Sequence, residues 1–208
     1  MKKILLFGDY INALWHPLRG IDDEIKRILE GFDVTITEDY PYFKLEDMQK
    51  YDLIINYADA LDRRTGADFA GALVGYVAAG GALLTIHNGI LCGTVPELEQ
   101  LIGASFTGHP PHEVLEYVYA NPHPIMKAVE SFAIDEEPYR FEMDNLAKVN
   151  VLMEYIHQGE KFPAVWVRGD GNGRTCYIQP GHEAATFKNE GFAKLLRRCV
   201  LWCTGELY

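Results

Sequence analysis

Along the first half of the chain, short apolar runs alternate with amphipathic stretches. "KILLFG", "FDVTIT", "YDLIINY" and "GALLTIH" are apolar over strand length and bounded by charged residues or glycine. Between them, "IDDEIKRILEGF" sets Ile21, Ile25, Ile28 and Leu29 on one stripe ahead of Gly31. "TGADFAGALVGYVAAGG" sets Phe69, Leu73, Tyr76 and Val77 on another ahead of Gly80 and Gly81. That spacing predicts helices with glycine stops. Strand, helix and strand in succession imply right-handed crossovers and a parallel sheet covered on both faces. The expected fold class is therefore α/β, a three-layer αβα sandwich with a mainly parallel sheet whose fourth strand ends at about His87.

The second half is patterned differently. "HEVLEYVYA", "NVLMEYIHQ", "FPAVWVRG" and "GRTCYIQPG" read as strands close enough in sequence for antiparallel pairing. "GDGNGR" lies between two of them and reads as a hairpin turn rather than a phosphate cradle. The closing "GFAKLLRRCVLWCTG" is expected to be a helix with Phe192, Leu195, Leu196, Cys199, Val200 and Cys203 facing inward. No Ser/Gly/Pro linker separates the halves. Residues 1–208 are expected to form one domain, with an irregular middle from Pro96 to about Asn150 decorating the sheet.

Composition narrows the function classes. A chain of 208 residues that is 48% hydrophobic can bury a full core. No apolar run approaches the roughly 18–20 residues of a membrane-spanning helix. "MKKILLFGDY" opens like a signal peptide, but Gly8 and Asp9 cut the apolar run and no small-residue cleavage site follows, so it reads as the first strand of a cytoplasmic protein. A net charge of −11 without a basic stripe argues against a nucleic-acid partner. Cys92, Cys176, Cys199 and Cys203 make no C-x-x-C pair and no regular framework, which suits reduced, buried thiols. The expected partner is a small molecule; a homo-oligomer is compatible with the sequence but not readable from it.

In open α/β sheets, ligands bind where the parallel strands end. Polar residues punctuate these places here: Asp9 after strand one, Asn56, Tyr57 and Asp59 after strand three, His87 and Asn88 after strand four. "TIHNG" fits loosely the strained strand-to-helix elbow that mounts a nucleophile, with an imidazole where a hydroxyl or thiol would stand. "FTGHPPHE", "NPHPI", "IDEEPYRF" and "QPGHEAATF" add histidines and carboxylates beside glycine or proline. His109 and His182 lie in Gly-His loops that allow close backbone approach. Pro110 and Pro111 impose an extended segment between His109 and His112, so those rings need not converge. His123, between two prolines, reads as a turn residue and His157 as a surface one; Cys92, Trp166 and Tyr177 read as core.

"GGALLTIHNG", "FTGHP", "HPIMKAVESFAIDEEPY" and "FPAVWVRGDGNGRTCYIQPGHEAATF", followed by a terminal helix with Trp202, together resemble the ThuA-like, or trehalose-utilisation, family. The resemblance implies the flavodoxin-like fold of class I glutamine amidotransferases. It also implies loss of glutaminase chemistry, since His87 stands where the amidotransferases carry a cysteine. The family's richer His and Glu stretch after its first strand is here "GDYINALWHPLRG", with His16 displaced down the loop, so no role is carried onto His16. In "DEEPY" either Glu136 or Glu137 matches the family's carboxylate, and Glu136, directly after Asp135, is preferred.

What the resemblance implies is an enzyme of carbohydrate catabolism that isomerises or otherwise processes a keto sugar or keto-glycoside by proton transfer next to a carbonyl. The expected catalytic residues are His87, Glu136 and His182, and the expected substrate-binding residues are Asp9, Asn88, His109 and Tyr139. His87, exposed on its elbow, is expected to contribute little packing. If a divalent metal assists, the expected ligands are His87, His109 and His182, and an N/O donor set suits zinc, manganese or iron; without one, a protonated histidine must polarise the carbonyl. The alternative is a non-catalytic sugar-binding or regulatory module on the same fold. Whether His16, His112 or His123 join the site is open at this level.

Overall fold

The computed structural model describes residues 1–59, 61–92 and 95–207. The elements run β1 (Lys3–Gly8), α1 (Ile21–Ile28), β2 (Asp33–Thr37), α2 (Leu45–Met48), β3 (Leu53–Tyr57), α3 (Leu61–Arg64), α4 (Ala67–Ala78), β4 (Ala82–Ile86), α5 (Pro96–Ile102), β5 (Ala104–Gly108) and β6 (Glu113–Tyr119). They continue with β7 (Phe132–Glu136), β8 (Arg140–Met143), β9 (Asn150–His157), β10 (Glu160–Asp170), β11 (Gly173–Ile178), α6 (Ala184–Lys188) and α7 (Glu190–Cys203). The expected irregular middle is thus corrected: besides β6, which "HEVLEYVYA" indicates, residues 96–150 contain α5, β5, β7 and β8, short pieces whose weak periodicity hides them.

One nine-stranded sheet, ordered β2-β1-β3-β4-β11-β10-β9-β6-β7, runs through both halves of the chain, and β5 pairs with β8 in a two-stranded sheet beside it. β2, β1, β3, β4 and β11 are mutually parallel. The remaining pairings are antiparallel, which returns β9 and β7 to the direction of the parallel block; only β10 and β6 run against it. The fold is therefore a three-layer α/β sandwich with a large, mainly parallel sheet plus antiparallel strands.

Burial follows this geometry. β3 and β4 are buried at every position and read as unbroken apolar runs, because helices cover both faces. β6 and β7 alternate buried with exposed positions, as antiparallel strands with one wet face do. Along β1, Ile4 and Leu6 enter one core with Ile25 of α1 and Leu195 of α7, while Leu5 and Phe7 enter the other with Leu73 of α4 and Leu98 of α5. The inward residues of α7 are the six that its sequence periodicity indicates, and Asn189 caps it by accepting from the Phe192 N–H at 3.1 Å. The β10–β11 connection is a hairpin, as its glycines suggest. Among the described residues no helix is long and apolar enough to cross a membrane.

Candidate functional site

β1, β4, β7 and β11 share one direction, so their carboxyl ends open on the same edge, and each is followed by a residue of one cluster. These are His16 in the loop after β1, His87 after β4, Glu137 after β7 and His182 after β11. One nitrogen or oxygen from each lies within 4.8 Å of all the others. β1 and β3 are the place where the strand order reverses, the usual ligand crevice of an open sheet.

His87 begins a 3-10 turn with φ 46°, a left-handed conformation that sets the side chain sharply against the strand it follows. Its Nδ1 is 2.7 Å from the Gln179 carbonyl, which can only accept, so the proton sits on Nδ1 and Nε2 keeps its lone pair. Nε2 faces Glu137 Oε2 at 3.2 Å. Burial pushes the His87 pKa down, outweighing the attraction of the Glu136 and Glu137 carboxylates. The imidazole is 0% exposed, stacked on Tyr139 with centroids 4.2 Å apart. The expectation of an exposed elbow is corrected: the side chain lies beneath the pocket and is packed.

Glu137 is faced by three imidazoles. His182 Nδ1 stands 3.1 Å and His16 Nε2 3.7 Å from its Oε2, besides His87. Burial alone would raise its pKa, but the imidazoles of His16, His182 and His87 gathered round it hold it far below the carboxylate range. Glu136, the carboxylate preferred from the sequence, lies outside this four-residue group, although one of its oxygens comes within 4.8 Å of donor atoms of His112 and His182. It is fully buried, and its oxygens accept from the backbone N–H of Gly181 at 2.8 Å, His182 at 3.1 Å and Glu137 at 3.0 Å, and from the Thr186 hydroxyl at 3.2 Å. Strand alternation turns adjacent side chains apart, so Glu137 meets His16, His87 and His182 while Glu136 reaches only His112 and His182, from the buried side.

His16, left open in the sequence analysis, stands in the centre of the cluster. Asp59 receives backbone N–H groups from Leu14, Trp15 at 2.9 Å and His16 at 2.9 Å, and the His16 Nδ1–H at 2.7 Å. Nε2 of His16 is thereby aimed at His182 Nδ1, 3.1 Å away. Burial would lower the His16 pKa, but the bonds to Asp59 and Glu137 outweigh it and the value is raised. Asp9, expected to bind substrate, is instead buried under this loop. It pairs with Arg64 and receives the Tyr40 hydroxyl and the Asp59 N–H. Asn88 is likewise corrected: it is buried, its amide donating to the Tyr57 carbonyl at 3.1 Å.

Above the cluster lies a cavity of about 540 Å³, within the ~300–1,000 Å³ of small-molecule sites. His16, Glu137 and His182 form part of its lining, with Trp15, Phe106, His109 and Tyr139 among the other residues around it. Tyr139 is thus where a substrate contact was expected. His109 is at the rim, its side chain 35% exposed and its Nε2 3.7 Å from Glu137 Oε1, outside the four-atom group; among the expected metal ligands His16 takes its place. His112 also reaches toward Glu137, at 4.0 Å, and its ring lies 4.6 Å from that of His182, so the two rim rings converge after all. His123 caps a turn through its Nδ1, as expected. His157 is buried against Arg140, not at the surface.

Two further residues hold these parts together. Asp59, marked in the sequence by its place after strand three, sets the His16 loop, and Gln179 was missed. Gln179 donates to the Glu137 carbonyl at 2.6 Å, accepts the Tyr117 hydroxyl at 2.7 Å and receives His87 at its own carbonyl. A polar residue directly after the apolar run "CYI" was the available signal for Gln179.

A flavodoxin-like and glutamine amidotransferase-like sheet that carries imidazoles and a carboxylate where its strands end defines the class of this protein. Within that class, the chain belongs to the ThuA family, described as trehalose utilisation, whose model matches residues 16–203. A ThuA-like protein from Bacteroides uniformis ATCC 8492 is similar in structure, with a TM-score of 0.79 at 20% identity over 97% of this chain and 91% of that one. A ThuA-like protein from Parabacteroides merdae ATCC 43184 aligns with a TM-score of 0.81 at 19% identity over 99% and 90%. A cytoplasmic protein from Salmonella typhimurium LT2 aligns at 0.70 and 17% identity over 97% and 99%. At these identities the likeness speaks for the fold alone. No curated protein matches the chain.

Proposed function

We propose that the protein is an enzyme of carbohydrate catabolism that moves a proton next to the carbonyl of a keto sugar, with a divalent transition metal held by His16, His87, His182 and Glu137. The observation that carries this reading is the contact between His87 Nε2 and Glu137 Oε2. Both are acceptors 3.2 Å apart, His87 fully buried and Glu137 only 12% exposed, and such a pair repels unless a cation lies between them. Two donor atoms on a tetrahedral zinc with bonds of about 2.0–2.1 Å are about 3.3 Å apart. The inward-facing pairs here span 3.1 to 3.7 Å. Three imidazoles and a carboxylate suit zinc, manganese or iron. The partners behind the ligands fit as well, Asp59 behind His16 and the Gln179 carbonyl behind His87, each fixing a tautomer with its lone pair inward.

A metal so held supplies Lewis acidity toward a carbonyl oxygen. The protein supplies the rest. His109 donates its Nδ1–H to the Pro110 carbonyl at 2.9 Å, which leaves Nε2 as a lone pair at the cavity rim; it serves as the base that takes the proton from carbon. Tyr139 and Phe106 wall the substrate off from water beside it.

The test pairs elemental analysis of protein purified without chelator with deuterium uptake from heavy water into keto sugars. A stoichiometric transition metal and exchange at the carbon next to the carbonyl are expected. His109→Gln is expected to keep the metal and to lose roughly 10²–10⁴-fold of the exchange rate. Metal-free protein of full activity, or full exchange in His16→Ala, overturns the reading. Sugar binding without exchange favours the non-catalytic sugar-binding module instead, for which the aromatic walls of the cavity speak.

A further inference from the structure

We infer that His112, held between Asp135 and Glu137, is a further catalytic residue, the one that carries the proton of the substrate hydroxyl beside the carbonyl, while His109 carries the proton from carbon. This rests on the proton transfer proposed for the same cavity. The β6–β7 register pairs Glu113 with Glu136, which sets His112, one residue earlier, across from Glu137, one residue later. Opposed residues of paired strands, and alternate residues of one strand, share a face, so Asp135 and Glu137 flank His112. Its Nδ1 lies 3.5 Å from Asp135 Oδ1 and its Nε2 4.0 Å from Glu137 Oε1.

Glu137 presents its two oxygens to different neighbours. Oε2 faces His16, His87 and His182, whereas Oε1 faces the rim, with His109 Nε2 at 3.7 Å and His112 Nε2 at 4.0 Å. Asp135 keeps the His112 proton on Nδ1, as the Pro110 carbonyl does for His109, so three acceptors surround one gap that calls for a donor. The spans are too long for a hydrogen bond across the gap and fit a hydroxyl placed about 2.8 Å from each side. His109 and Glu137 line the cavity, so the gap opens on it. A hydroxyl on the carbon next to the carbonyl donates there, beside the carbon proton that His109 removes. The step balances between the two imidazoles. His109 takes the proton from the hydroxyl-bearing carbon, whose C–H electrons form a carbon–carbon double bond as the carbonyl π pair moves onto its oxygen. His112 takes the hydroxyl proton and returns it to that oxygen. The carbonyl re-forms on the neighbouring carbon as His109 hands its proton to the former carbonyl carbon.

Keto-glucose with an isotopic label at its carbonyl carbon, incubated in heavy water with metal-replete wild type, His109→Gln and His112→Gln, tests this. Two rates are followed in one sample: deuterium uptake at the adjacent carbon and movement of the carbonyl off the labelled carbon. Wild type is expected to do both, and His109→Gln to lose both together. His112→Gln is expected to keep its metal by elemental analysis, to lose roughly 10²–10⁴-fold of carbonyl movement and to slow deuterium uptake far less. Full carbonyl movement in His112→Gln, an equal loss of both rates, or loss of the metal overturns the assignment; the last two would make His112 a support of the cluster rather than a carrier of the proton. In wild type, deuterium uptake without carbonyl movement overturns it as well and leaves the proposed proton transfer standing. Neither process in metal-replete wild type removes both readings.

Discussion

At the scale of single residues, the adjacent carboxylates Glu136 and Glu137 have divided tasks, and substitution separates them. Glu136→Gln leaves an amide against backbone N–H groups of Gly181, His182 and Glu137, so it is expected to lower stability by about 1–3 kcal/mol in chemical denaturation and to weaken metal uptake only through a displaced His182. Glu137→Gln is expected to abolish metal uptake with a smaller loss of stability, read by elemental analysis and the denaturation midpoint. A larger stability loss at Glu137 than at Glu136 would reverse the assignment. His87→Ala is expected both to lose the metal and to unfold more easily, because it empties a buried site stacked on Tyr139. The histidines His87 and His182 were legible as candidates because each stands at a strand end with glycine within two residues. Glu137 was legible only as one of two alternatives and His16 was left open, since the choice between the carboxylates turns on which side chain meets the cluster and His16 is aimed by the Asp59 carboxylate, a tertiary contact with no local signal.

At the scale of elements, the turn after β4 and the loop after β1 determine the site. A methyl group on Gly89 would lie 2.7 Å from the Asn56 backbone oxygen, so the elbow can pack against β3 only with glycine there. Gly89→Ala is expected to cost about 1–3 kcal/mol in denaturant unfolding and to disturb His87. Glu38 clamps the loop after β1. Burial opposes its ionisation, but backbone bonds from Asn12, Ile11 and Tyr10 prevail and lower its pKa below the ordinary 4.5. A depressed carboxylate stabilises fully above its unfolded value and loses that contribution as pH falls through the folded one. The difference in Tm between wild type and Glu38→Gln should therefore be present at neutral pH and close as the pH drops below about 4.5. A gap that persists at pH 3 would mean that the clamp acts without its charge. The parallel strands and the helices α1, α4 and α7 were legible because continuous apolar runs and 3.6-residue stripes are local signals. Of the strands between residues 96 and 150 only β6 was legible; β5, β7 and β8 were not, because such short strands draw their pairing from distant partners.

At the scale of the molecule, the proposed metal would couple its binding to folding through the shared edge of the sheet. With metal at 100 times its Kd, native protein gains about 2.7 kcal/mol, a rise in Tm of about 5–10 °C that His16→Ala should cancel. A rise that survives this substitution would locate the metal elsewhere. The four ligand-bearing segments span the chain from residue 16 to residue 182 and meet only when β1, β4, β7 and β11 are all in place. The ligand set is thus a product of the last closure, absent from any partly paired sheet. Added metal should consequently leave the refolding rate unchanged and slow unfolding alone, since stabilisation that appears only after the barrier acts only on the way back. In a cell, such a protein would acquire its ion after synthesis, and its bound fraction would count completed molecules.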